Sequence, residues 1–136
     1  MAQLERWAKN MTLYKSAWWS LKVPAGWCGR EEDACHTFES EDGVGALQVS
    51  AHRKGGAPVT DDDLREFAGE VPLRAVALDA VTGFRARFSD DDTFWIMWWL
   101  RAGSTLIHVT YNCALEDRNE EEETLIERSV SSLSIR

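Results

Sequence analysis

The stretch FWIMWWLRAGSTLIHVTYNC, Phe94 to Cys113, is the most apolar and most β-prone part of the chain. Its two long runs flank Ala102 and Gly103, a pattern that predicts two antiparallel strands joined by a two-residue turn. Such a turn would pair Arg101 with Ser104, and every other pair of the hairpin follows from that register. We therefore expect this hairpin to form the centre of the fold.

Because side chains alternate along each strand, the hairpin has two faces of different composition. Face A is almost wholly apolar and collects Phe94, Ile96, Trp98, Leu100, Thr105, Ile107, Val109 and Tyr111. Face B mixes large apolar with polar side chains and collects Trp95, Met97, Trp99, Arg101, Ser104, Leu106, His108 and Thr110. Bulky side chains on both faces indicate that each face is at least partly covered, which predicts three layers with the main core on face A.

Further strands are predicted before the central hairpin. Residues 14–23 alternate as a strand, and the polar residues 29–33 read as a loop. The dipeptide Asp42–Gly43 lies between two alternating runs and is preferred in type I′ turns. This turn would place Phe38 opposite Leu47 in a second hairpin.

Two helices are predicted to cover the sheet. Thr60 and Asp63 form a capping-box pattern at the start of the first helix, and Pro72 ends it. Residues 84–88 alternate as a strand that should pair with the central hairpin. The acidic residues from Glu120 begin the second helix, where negative charge is favourable. The prediction is an α+β three-layer sandwich, with an antiparallel sheet of about six strands and helices on both faces.

Length and charge limit the function classes. The 136 residues predict one domain over residues 1–136, with residues 1–11 as a possible N-terminal helix or frayed arm. The net charge of −8 argues against nucleic acid and acidic membranes as partners. No apolar run reaches the length of a membrane span or a secretion signal, and the three cysteines are typical of reduced thiols. These features predict a cytoplasmic protein.

Metal and thiol chemistry have weak support. The residue types that bind zinc occur without a CxxC or HxxxH pair, so we predict no metal and no cofactor. The candidate ligands are Cys28, Cys35, His36, His52 and Cys113. Cys28 is the best candidate nucleophile because it lies in a predicted loop near Arg30 and His36, although inert thiols are the more common case.

Face B supplies the candidate binding site. Trp95, Trp99 and His108 would form an aromatic surface with one titratable group, and Trp18 would extend it if its strand lies beside the hairpin. The alternative is that a helix covers this face as a second core. Only two long helices are available for a broad sheet, so we expect some aromatic surface to remain open.

Three segments and the order of elements resemble the PsbP-like fold and small bacterial proteins of the same layout. The segments are WWSLKVPAGW at 18–27, GALQVSA at 45–51, and IHVTYNC at 107–113, followed by an acidic helix ending in SVSSLSI. The resemblance implies a non-catalytic accessory role, as in photosystem extrinsic subunits and a nuclear-transport GTPase-binding factor. We thus predict a partner-binding module whose partner is another protein. The alternatives are a thiol-dependent enzyme or hydrolase using Cys28 with a histidine, and a homo-oligomeric structural protein.

Overall fold

The structure is a computed structural model that describes residues 11–33 and 35–136. The strands in this part of the chain are β1 (Met11–Lys15), β2 (Trp19–Pro24), β3 (Cys28–Glu32), β4 (Cys35–Glu39), β5 (Gly45–Arg53), β6 (Arg74–Ala77), β7 (Thr82–Asp90), β8 (Thr93–Ala102), β9 (Thr105–Ala114) and β10 (Ser134–Ile135). The helices are α1 (Asp61–Ala68) and α2 (Glu120–Ser131), with a short 3-10 turn at Leu115–Asp117. Apart from Met11, which starts β1, the predicted N-terminal helix lies outside the described residues.

Within the described residues, the strands form two antiparallel sheets, so the fold class is α+β. The large sheet has seven strands in the order β3-β4-β5-β9-β8-β7-β6, rather than about six. The small sheet has three strands in the order β1-β2-β10. The β8–β9 hairpin occupies the middle of the large sheet, as predicted. Neither helix of the described chain is long and apolar enough to cross a membrane.

The turn of the central hairpin lies one residue later than predicted, at Gly103 and Ser104. Ala102 pairs with Thr105, and the predicted pair of Arg101 with Ser104 is wrong. Gly103 has a φ of +57°, the positive value that a type II′ turn requires at its first central residue. This shift of the turn moves the cross-strand partner of every hairpin residue by two positions. Because side chains alternate between faces, each face keeps its predicted residues.

Face A carries the main core. Trp98 is 1% exposed and packs in one cluster with Val109, while Trp19 of β2 and Ile126 of α2 belong to the same cluster. The small sheet and α2 therefore pack on this face together. The prediction that Trp98 lies in the main core is confirmed.

Helix α1 packs on face B. Thr60 caps it with the predicted capping box, and its buried residue Leu64 clusters with Trp99 and Leu106. The helix ends at Ala68 instead of reaching the residue before Pro72. An eight-residue helix covers only part of a seven-stranded sheet. Among the described residues, no other helix packs on face B, so part of this face is not covered by a helix.

Three local predictions differ from the structure. The predicted strand over residues 14–23 is divided into β1 and β2, which pair with each other. The predicted loop over residues 29–33 is mostly the edge strand β3. Phe38 does pair with Leu47, but the turn is built on Ser40 to Gly43, where Gly43 N–H donates to the Ser40 carbonyl. The register of this hairpin is confirmed, while its type I′ turn is wrong because no positive φ occurs at Asp42 or Gly43.

Candidate functional site

The open part of face B contains a cavity of about 310 Å³. The residues that line it are Cys35, Gln48, Ser50, Trp95, Met97, His108 and Thr110. They come from four adjacent strands, because Cys35 pairs with Ser50, Ser50 with His108, and Met97 with Thr110. Direct cross-strand neighbours lie about 5 Å apart on one face, so these side chains converge without any loop contribution.

His108 is fixed on both sides of its ring. Its Nδ1 lies 3.0 Å from the Trp98 carbonyl oxygen, which selects the tautomer that donates from Nδ1. Its ring stacks on Trp99 at 5.2 Å and contacts Phe67 of α1, also at 5.2 Å. Burial lowers the pKa of His108. The hydrogen bond to the Trp98 carbonyl raises this pKa, and the charge of His52 lowers it further. The imidazole is therefore neutral at pH 7, with Nε2 as an acceptor.

The Cys35 thiol is also uncharged. Burial is the largest influence on it and raises its pKa, while the Thr37 hydroxyl acts in the opposite direction. A reactive cysteine needs the reverse, a pKa lowered by a nearby cation or a helix N-terminus. Cys35 therefore lines the cavity with a small polarizable side chain and is a poor nucleophile.

The structure divides the predicted binding residues among three environments. Trp95 and His108 line the face B cavity as half-buried side chains. Trp99 is only 3% exposed and lies in the second core beneath α1, so its predicted role in an open surface is wrong. Trp18 lies in the small sheet's β1–β2 turn and lines a different cavity. Met97 lies beside Trp95 on face B, as predicted, whereas the sequence did not reveal that Gln48 and Ser50 join them, because only the strand order brings β5 to this place.

The second cavity, the Tyr14–His36 cleft, has a volume of about 590 Å³. It lies between the small sheet and strands β3 to β5, and its lining includes Tyr14, Lys15, Trp18, Trp19, His36 and Arg136. The Tyr14 hydroxyl lies 2.9 Å from Nδ1 of His36, and Glu31 lies 3.7 Å from Nε2. His36 protonated at Nε2 suits both neighbours, since Nδ1 then accepts from Tyr14.

The geometry excludes His36 as the histidine that would activate the Cys28 thiol. Cys28 pairs with Glu39, which alternation places on face B, whereas His36 points to face A. Cys113 lies on face A, is buried, and has a pKa raised by that burial. Among the described residues, no three His, Cys, Asp or Glu side chains form a group that could hold a metal.

Comparison with solved structures identifies the fold. A crystal structure from Bacteroides thetaiotaomicron VPI-5482 matches with a TM-score of 0.71 and 17% identity, over 93% of this chain and 48% of that chain. The solution structure of cyanobacterial PsbP (CyanoP) from Synechocystis sp. PCC 6803 matches with a TM-score of 0.51 and 12% identity, over 93% of both chains. The chain has a PsbP-like fold.

The similarity to these two structures concerns the fold. Identities of 17% and 12% establish the fold of the PsbP-like domain and no more. The chain spans about half the length of the Bacteroides protein. No protein-family model and no curated protein sequence matches the chain.

Proposed function

We propose that this PsbP-like domain is a non-catalytic binding module whose face B cavity holds an uncharged, apolar side chain of a partner protein. One observation carries the proposal. No Asp, Glu, Lys or Arg occurs among the described residues that line the cavity, although 28% of the chain is charged. Burial also holds Cys35 and His108 in their uncharged forms. A charged ligand would lose its hydration here without gaining a counter-charge, so an apolar group is favoured.

The composition of the cavity fits a protein partner. Aromatic residues and methionine are enriched, and charged residues depleted, in the centres of protein interfaces. Trp95 and Met97 supply such an apolar centre, while Gln48, Ser50 and Thr110 offer neutral hydrogen-bonding groups for a partner's backbone. In the Bacteroides protein the matching region is about half of a longer chain, so this fold occurs joined to further polypeptide. A cytoplasmic location remains part of the proposal.

The arrangement around Cys35 favours binding over thiol catalysis. A cysteine enzyme needs a thiolate within hydrogen-bond reach of a base. The groups that influence the Cys35 thiol are Thr37, Glu32 and the backbone at Val49, and His108 is not among them. The Nδ1 of His108 is already engaged by the Trp98 carbonyl. The cavity therefore lacks the paired groups of an activated nucleophile.

Selection from a phage-displayed random peptide library tests this function. Selection on the wild-type domain should enrich peptides with one large apolar residue flanked by uncharged residues. A synthetic peptide from the enriched set should bind Trp95→Ala at least about thirtyfold more weakly, since truncating an interface aromatic commonly costs about 2 kcal/mol. Leu13→Ala is the control, because Leu13 is also a large hydrophobic residue but lies exposed on the small sheet.

Three results would contradict the proposal. Enriched peptides could carry charges at the anchor position, or they could bind Trp95→Ala as tightly as the wild type. In a sedimentation experiment, self-association that Trp95→Ala abolishes would assign the cavity to a second copy of the chain instead. Circular dichroism of Trp95→Ala verifies that the variant is folded before its binding is measured.

A further inference from the structure

The walls of the Tyr14–His36 cleft form a rigid aromatic frame. Tyr14 stacks on Trp19 at 5.8 Å, and His36 meets Trp19 edge to face at 5.0 Å. The Ser16 hydroxyl accepts from the backbone N–H groups of Trp18 and Trp19, which fixes the turn that carries Trp18. Planar apolar groups pack well against such surfaces, and a volume of about 590 Å³ is within the range of small-molecule sites.

Three cations surround this frame. Lys15 and Arg136 line the cleft, and the Arg53 guanidinium lies over the Trp18 ring at 4.2 Å from its centroid. The Arg136 guanidinium donates to the Ser16 carbonyl oxygen at 2.7 Å, which holds it at the cleft. A cation over an indole face is attracted by the ring and keeps its outward N–H groups available.

These three cations differ from most of the described arginines in one respect. In the described part of the chain, Lys15, Arg53 and Arg136 have no side-chain carboxylate at ion-pair distance. Glu31, which also lines the cleft, lies 3.7 Å from His36 instead. The guanidinium groups of six other arginines lie 2.7 to 3.2 Å from a carboxylate oxygen. These paired residues are Arg30, Arg65, Arg85, Arg87, Arg101 and Arg118. In a chain with 23 acidic and 15 basic residues, unpaired cations are not expected to gather at one cavity by default.

We propose that the Tyr14–His36 cleft binds a small organic anion with a planar apolar body. The body lies against Trp18 and Tyr14, and the anionic group accepts hydrogen bonds from Arg53, Lys15 and Arg136. Charge-assisted hydrogen bonds of this kind are stronger than neutral ones, and the guanidinium fork suits carboxylate and phosphate groups alike. The site is separate from the face B cavity, because Ala51 and His36 line it from face A.

The test uses 2-naphthoate as the probe and NMR of ¹⁵N-labelled protein as the readout. Titration should shift the Trp18 indole N–H and the backbone amides of Ala17 and His36 along one saturable curve. Arg53→Gln and Lys15→Gln should each weaken binding about threefold, as expected for exposed charge contacts, and the double variant about tenfold. Neutral 2-naphthamide, which has the same shape, should bind at least about tenfold more weakly than 2-naphthoate.

Two controls separate this site from general electrostatic attraction. Arg74→Gln removes one exposed charge from β6, at the opposite edge of the large sheet, and should leave the affinity unchanged. Arg74 has no ion-pair partner among residues 11–33 and 35–136. Inorganic phosphate should bind more weakly than phenyl phosphate, because it lacks the planar body. The proposal is overturned if 2-naphthoate causes no saturable shift, if 2-naphthamide binds equally well, or if Arg74→Gln weakens binding as much as Arg53→Gln.

Discussion

A buried carboxylate at the start of α2 should be one of the strongest single determinants of stability. Glu122 is 9% exposed and accepts hydrogen bonds from three donors. The Tyr111 hydroxyl donates at 2.5 Å, Gly45 N–H at 3.1 Å and Val44 N–H at 3.2 Å. The carboxylate therefore joins α2, the centre of β9 and the loop between β4 and β5. Burial raises the pKa of Tyr111, so its hydroxyl keeps the proton that it donates.

Replacing Glu122 with alanine leaves these three donors without an acceptor. An unsatisfied buried donor costs about 1 to 3 kcal/mol, and part of this returns if water reaches the loop, so we expect a loss of about 3 to 5 kcal/mol. Tyr111→Phe removes one donor and leaves the other two bonds intact. Its expected cost is about 1.5 to 3 kcal/mol, the value for a hydrogen bond to a charged group.

Urea denaturation followed by tryptophan fluorescence measures both losses. Glu121→Ala is the matched control, because Glu121 is exposed in the same helical turn and should lose less than about 1 kcal/mol of dipole interaction. Tyr111→Phe in the Glu122→Ala background should cost much less than it does alone, since the two residues share one bond. Equal losses for Glu122→Ala and Glu121→Ala would refute this reasoning.

Three further predictions concern the core, the titration of His108 and a helix cap. Trp98→Ala should cost about 3 to 5 kcal/mol by urea denaturation, because Trp98 is 1% exposed in the main core, and a loss below about 1.5 kcal/mol would contradict that placement. Burial lowers the folded-state pKa of His108, so the unfolded chain takes up this proton first, and stability should fall as the pH drops below about 6.5 until the folded-state pKa is passed. The stability difference between wild type and His108→Gln should therefore shrink between pH 7 and pH 5 in parallel urea titrations, and a constant difference would exclude this linkage. Thr60→Ala should cost about 1 kcal/mol by thermal unfolding through loss of the capping box, whereas the exposed Asp62→Ala should change stability by less than about 0.5 kcal/mol.

The two faces of the central hairpin could be predicted because alternation is a property of each strand by itself. Trp98 and Ile96 share a face whatever the partner strand does, and their neighbours in sequence point the other way. The turn was predicted at Ala102 and Gly103 but lies at Gly103 and Ser104, an error that changes every cross-strand partner by two positions and so preserves the faces. The cap of α1 was equally predictable, since Thr60 and Asp63 contact each other within one helical turn.

The candidate sites could be predicted only in part, because they depend on strand order. Trp95 and His108 were correctly placed on face B, but the sequence does not say which strands lie beside them. The position of β5 next to β9 brings Ser50 to His108, and the position of α1 decides that Trp99 is covered. The positions of β5 and α1 depend on contacts between residues far apart in the chain, and such contacts leave no local pattern in the sequence.

The sequence by itself determined which side chains alternate, where the helices begin and that the chain would build a large apolar core. Only the tertiary structure decided that β2 and β10 form a separate small sheet over face A. That choice places Trp18 beneath Arg53, 35 positions away in the chain, and so creates the Tyr14–His36 cleft. The physical reason is that secondary-structure propensity and side-chain periodicity depend on residues within one or two helical turns or strand repeats. The burial of apolar surface, in contrast, depends on how all the helices and strands pack together.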